Sequence, residues 1–192
     1  MDHDNMKKYA ADIARCIENT KFSDEQNVAM PGDLAIQKIL RILKGVKENK
    51  NKMMIVGNGG SSSIASHLSQ DFTKMGKVRT QCFTDAALLT MLTNDFSHEA
   101  GFEQAIAMHG GSGDALIAIS SSGNSKNILN AVTHAKKLGC VVITLSGFQP
   151  DNKLRGLGHV NVYTPSPSYG IVEIAHTTVL HSILDHIVEN PL

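Results

Sequence analysis

The chain has 192 residues, enough for one domain with a substantial core, and 42% of them are apolar. Lys and Arg (18) balance Asp and Glu (18), and the resulting formal net charge of zero excludes a broad footprint on nucleic acid. No stretch approaches the roughly 18 uninterrupted apolar residues of a membrane span, and the mixed-charge start MDHDNMKKYAADIARC has no signal-type apolar region, so a cytoplasmic protein is expected.

In chain order, Tyr9, Ile13 and Ile17 at period four predict a helix over 3–19. The segment 19–32 reads as polar and irregular, closed by the Pro31-Gly32 break. Leu34, Ile36, Ile39, Leu40, Ile42 and Leu43 give a helix over 33–48 a broad apolar face. From residue 53 the pattern changes. Apolar strands near 53–57, 79–83, 115–120, 140–145 and 159–163 alternate with helical stretches near 61–75, 86–93, 98–108, 124–138 and 169–188. Alternation of that kind, with nearly continuous apolar strands, predicts an α/β fold: a three-layer, doubly wound parallel sheet covered by helices on both faces. The amphipathic helices at the front either cap one edge of that sheet or form an oligomerisation arm. We place a helix-and-linker arm at 1–32 and the α/β domain at 33–192. Cys16, Cys82 and Cys140 are far apart, odd in number and in no metal-type spacing, and are expected as buried, reduced thiols.

Two serine-rich loops directly follow strands, in MMIVGNGGSSS (53–63) and ALIAISSSGNS (115–125). Each offers backbone N–H groups and hydroxyls at a helix N-terminus, where the macrodipole favours an anion. Parallel sheets bind ligands at the carboxyl ends of their strands, where both loops fall. The first loop is no nucleotide P-loop, since no Gly-Lys-Ser/Thr follows. Nor is it a dinucleotide fingerprint, because Ser62 stands where the third Gly belongs, and Asp85 reads as an N-cap. Two hydroxyl-rich, lysine-free loops in one domain point to a phosphorylated small molecule.

His67 and Asp71, four apart, share a face of the helix that starts at the first loop. The last helix carries Glu173, His176, His181, Asp185 and His186. Each pair is compatible with an ordinary helix-surface contact, and together they offer the mixed N/O ligands that zinc accepts. Glu173 and His181 lie about 12 Å apart along a regular helix, at 1.5 Å per residue, which opposes their sharing one ion within a chain. A phosphate held by the serine loops, with an imidazole and a carboxylate beyond it, suits proton transfer beside a carbonyl, as in aldose–ketose interconversion. Gly-x-Ser-x-Gly is absent, and no Cys neighbours a His, so nucleophilic catalysis fits poorly.

The stretches VGNGGSSSIASHLSQDF, LTNDF, GDALIAISSSGNSKNI, VITLSG and EIAHTTVLH, in that order, resemble the sugar isomerase (SIS) domain. They look most like the phosphoheptose isomerases, which convert sedoheptulose 7-phosphate to D-glycero-D-manno-heptose 7-phosphate for surface polysaccharides. The resemblance covers about residues 30–188. It implies substrate contacts from Asn58, Gly59, Gly60 and Ser61, from Asn94 and Asp95, and from the phosphate loop Ser120, Ser121, Ser122 and Ser125. It implies one zinc per subunit, with His67, Asp71, Glu173 and His181 as ligands, Glu173 also touching substrate, and Asp71 and His181 as proton-transfer groups. It further implies a homotetramer with sites at subunit interfaces, which would remove the 12 Å difficulty.

Two departures from the family pattern bear on the chemistry. Asp71 replaces the usual Glu and shortens the reach by about 1.5 Å, a shift to which proton-transfer geometry is sensitive. Glu173 replaces Gln and adds a negative charge, which favours a divalent cation and alters the charge balance. Met75 stands where a basic residue is common, with Lys74 and Lys77 nearby. An alternative function is a non-catalytic SIS scaffold or sugar-phosphate sensor bound to a protein partner. Such a module has no need of His67, Asp71, Glu173 and His181 together.

Overall fold

The computed structural model describes residues 3–192, with the side chains of His3 and Asp4 outside the description. It is a three-layer α/β fold. A seven-stranded sheet is formed by β1 (Lys21–Asp24), β2 (Ala29–Met30), β3 (Met53–Gly57), β4 (Thr80–Cys82), β5 (Ala115–Ser120), β6 (Val141–Ser146) and β7 (Val160–Tyr163). Its order is β2-β1-β7-β6-β5-β3-β4. The five strands from β3 onward pair in parallel, as their uninterrupted apolar character predicts.

The helices are α1 (His3–Glu18), α2 (Gly32–Glu48), α3 (Gly60–Lys74), α4 (Ala86–Asp95), α5 (Gly101–His109), α6 (Lys126–Lys137) and α7 (Tyr169–Glu189). Alternate strand residues feed two cores. Met53, Ile55, Ile117, Ile119, Ile143 and Leu145 pack against α2, α3 and α7. Met54, Val56, Leu116, Ala118 and Val142 pack against α4, α5 and α6. Period-two alternation within wholly buried strands is what a doubly covered sheet requires.

The segment 19–32 departs from the expectation of irregular chain. β1 pairs antiparallel with β7, and β2 pairs antiparallel with β1, so residues 21–30 extend the same sheet and make it mixed rather than purely parallel. The polar sequence Lys-Phe-Ser-Asp hides this strand because only Ser23 is fully buried, while Phe22 packs sideways on the core. Asn161 of β7 completes the join from inside. Its Oδ1 accepts from Thr144 Oγ1 (2.7 Å) and the Gly158 amide (2.7 Å), and its Nδ2 donates to the Asp24 carbonyl (2.8 Å). A buried amide with all these partners is a satisfied core group.

Cys16 and Cys140 are buried and Cys82 is partly so; none forms a disulfide among the described residues. Burial pushes the Cys16 and Cys140 thiols up, away from the reactive thiolate. Among the described residues, no helix is long and apolar enough to cross a membrane.

Candidate active site

β3 delivers the chain to the first loop through Gly57, where a Cβ would lie 2.6 Å from the Ser61 carbonyl oxygen. Gly59 then takes φ +53 and N-caps α3, a conformation that suits glycine. A Cβ on Gly60 would collide with the Glu173 carboxylate. The carboxylate of α7 therefore sits on the N-terminus of α3, where the helix dipole stabilises negative charge.

The second loop follows β5. Ser120 Oγ donates to Ser125 Oγ at 3.2 Å, and Ser122 Oγ accepts from the Asn124 amide at 3.2 Å. Ser125 occupies the N-cap of α6, yet its hydroxyl makes no capping hydrogen bond among the described residues. Ser121 Oγ is buried without a hydrogen-bond partner among them. Hydroxyls left uncommitted at a helix N-terminus are donors available to an anion. Gly123, at φ +64, is pressed against Asn152, so the loop is held from behind. The two loops, with Tyr169 and Glu173 from α7, enclose a cavity of about 210 Å³. It contains two helix N-termini: that of α3 is occupied by Glu173, and that of α6 is open.

About two turns further along α3 and α7 lies a second cluster. His67 Nε2 is 3.3 Å from Asp71 Oδ2, and the His67 and His181 rings have centroids 5.4 Å apart. One ligand atom from each of His67, Asp71 and His181 falls within 4.8 Å of the others. Two imidazoles and a carboxylate at that spacing fit a divalent zinc ion, with a coordination position left for water or substrate. His67 is exposed, and His181 lines an open groove along α7 with Ile174, Thr177 and Asp185.

The structure thus places the expected residues in two groups. Asn58, Gly59, Gly60, Ser61, Ser120, Ser121, Ser122, Ser125 and Glu173 line the loop cavity. His67, Asp71 and His181 form the ligand cluster, and Glu173 is outside it, as the 12 Å helical separation implied. Asn94 and Asp95, at the end of α4, bind each other (2.8 Å), are exposed and line neither group within this chain. His176 points into the interior, with Nε2 3.1 Å from both Thr164 Oγ1 and the Ser146 carbonyl. Desolvation lowers its pKa to about 4, partly countered by the bond to Ser146, so it is a neutral core histidine.

Sequence reasoning missed Asn127 and Tyr169. Asn127 exchanges two hydrogen bonds with Asn58 and ties the loops together. Its position two residues past the Ser125 cap, facing the sheet, was the available signal. Tyr169 carried none, because it looks like any residue in the first turn of an amphipathic helix.

Paired serine loops at strand ends, one with open donors at a helix N-terminus, define an α/β domain built to hold an anionic group such as a phosphate. The SIS-domain family model matches residues 8–147. The phosphoheptose isomerase of Aliarcobacter butzleri is 32% identical over 165 residues, covering 82% of this chain and 85% of that one. That of Coxiella burnetii is 34% identical over 145 residues, covering 71% and 73%. The solved phosphoheptose isomerase of Neisseria gonorrhoeae superposes with a TM-score of 0.82 over 96% of this chain and 98% of that one, at 25% identity. The chain belongs to the SIS-domain family, in its phosphoheptose isomerase branch.

Proposed function

We infer that the protein is a ketose–aldose isomerase interconverting sedoheptulose 7-phosphate and D-glycero-D-manno-heptose 7-phosphate. The observation that carries the chemistry is the convergence of His67, Asp71 and His181 within 4.8 Å on the helices that also bound the serine cavity. A non-catalytic scaffold has no use for that cluster.

The reaction moves a proton from C1 to C2 of an open-chain sugar, and moves the carbonyl in the opposite sense. In our reading the hydroxyls of Ser120, Ser121, Ser122 and Ser125, with the amides opening α6, hold the phosphate. Asn58, Gly59, Gly60 and Ser61 align the carbon chain, and Asn94 and Asp95 join them only from a second chain, since within one chain they line neither group. Asp71 removes the C1 proton and returns it to C2. His181 moves the accompanying proton between O2 and O1. His67, Asp71 and His181 would hold a zinc ion, which would supply Lewis-acid stabilisation of charge developing on the sugar oxygens. Glu173 is a further ligand only if a second chain presents it, since its own carboxylate rests on Gly60.

A homotetramer with sites at subunit interfaces is supported by the apolar groups exposed along this face. Met75 at the end of α3 and Ile174 on α7 are each about 40% exposed beside the ligand cluster. α1 and the antiparallel edge give further surface for such contacts. A place in the cytoplasm, making heptose for surface polysaccharides, agrees with the substrate. The test is to incubate the purified protein with sedoheptulose 7-phosphate and follow the aldose signal by NMR. A steady approach to a ketose–aldose equilibrium is expected. No conversion with zinc supplied would refute the reading.

A further inference from the structure

Tyr169 opens α7 and lines the serine cavity one turn before Glu173, on the same helix face. It is 62% exposed, yet its ring is not loose. It meets the Phe148 ring edge-on, with centroids 4.7 Å apart and an interplanar angle of 79°. Phe148 lies in the turn after β6 at φ +55, in the left-handed region that bulky aromatic residues rarely adopt. Two further contacts hold it there. Its amide donates to the Ser166 carbonyl (3.1 Å), and Tyr163 Oη donates to the Phe148 carbonyl (2.8 Å). Tyr163 is in turn covered by the Arg155 guanidinium, 4.3 Å from its ring centre. A strained aromatic residue fixed from several sides, bracing a second aromatic on the wall of a binding cavity, is the pattern of a preorganised site.

Apart from Ile119 and the Glu173 carboxylate, the rest of the cavity lining is small and polar. Hydroxyl and amide donors of that kind gain strength only where water is kept away. We propose that Tyr169 is a specificity-determining residue of the isomerase: its ring, braced by Phe148, is the wall on which the phosphorylated end of the sugar packs and which shields the phosphate from bulk water. This rests on the isomerase reading above, and adds to it the residue that makes the phosphate end selective. The brace explains why a phenylalanine occupies a position whose backbone favours glycine.

The experiment compares Tyr169→Ala, Tyr169→Phe and Phe148→Gly in two assays: steady-state isomerisation of sedoheptulose 7-phosphate, and calorimetric titration with inorganic phosphate. Tyr169→Ala is expected to raise both KM and the phosphate Kd about tenfold, with kcat within about twofold. Tyr169→Phe keeps the ring and stays within about twofold of the parent in both. Phe148→Gly accepts the backbone conformation but removes the brace, and raises both constants at least about threefold. Unchanged constants in Tyr169→Ala overturn the proposal, as does a rise in KM without a rise in phosphate Kd. A parent protein that binds phosphate but does not turn over the heptulose phosphate would sink the isomerase reading instead, and the phosphate titrations would still decide the role of the wall.

Discussion

Asn58 and Asn127 face each other amide to amide, each donating Nδ2 to the other's Oδ1 at 2.9 Å. The pair joins the loop after β3 to the first turn of α6, so the two loops that line the cavity are tied directly to each other. Asn127 Oδ1 also accepts from the Ile128 amide at 3.0 Å.

Asn127→Ala leaves the Asn58 amide without its partner in a part-buried position. The expected loss of stability is about 1–3 kcal/mol. KM for the sugar phosphate should rise more than kcat falls, because the donors lose their relative placement. Thermal melting and steady-state kinetics on the same preparation check both.

Asp71→Asn and His181→Ala each alter a residue to which the proposed mechanism assigns both proton transfer and zinc binding. Turnover should fall by about 10²–10⁴-fold. Chelation of the parent protein should slow turnover, with recovery on adding zinc, and both variants should retain less metal by elemental analysis. Full activity in either variant would remove that residue from the assigned role.

Glu173→Gln preserves shape and removes the charge resting on the α3 N-terminus. Stability should drop by about 0.3–1 kcal/mol as the interaction with the helix dipole is lost. A like charge also leaves the cavity, so KM for the dianionic substrate should fall at low ionic strength, and the difference should shrink as salt is added. Kinetics at two salt concentrations measure it.

His176 predicts the acid limit of the fold. Burial lowers its pKa to about 4 in the folded chain, against the 6.5 of an exposed imidazole. The unfolded chain therefore binds more protons between those values. The stabilisation is complete above pH 6.5 and is lost as pH falls toward 4, a change on the order of 3 kcal/mol. His159, whose pKa is also lowered by burial and whose Nδ1 accepts from the Val142 amide at 2.9 Å, acts in the same direction. Denaturant midpoints across pH 4–7 should fall with acid, and less steeply in His176→Gln. An equal slope in that variant would exclude His176 as the cause.

Strands β3, β5 and β6 were legible because burial on both faces leaves a continuous apolar run. The loops were legible because Gly57, Gly59 and the serines are the residue types that a tight strand-to-helix turn over an anion needs. The separation of Glu173 from His181 also followed from helix geometry alone. β1 was not legible, since an edge strand that buries one serine has no apolar signature. Phe148 was invisible for a different reason. Its backbone conformation is imposed by Ser166, Tyr163 and Tyr169, which lie 15 to 21 positions away in sequence. Likewise nothing local separates His176, sealed inside, from His181 at the ligand cluster; only the docking of α7 on the sheet distinguishes them.

The antiparallel ribbon of β1 and β2 has a consequence for the solubility of the protein. Without it, β7 would present a row of unpaired amides and carbonyls, and Asn161 would lose its Asp24 acceptor. A bare parallel strand of Val160, Asn161, Val162 and Tyr163 is a template for adding foreign strands. Shortening the chain to begin at residue 33 would therefore replace a margin that ends in the two-residue strand β2 with a longer bare one, and the product should form more sedimenting aggregate than the intact chain.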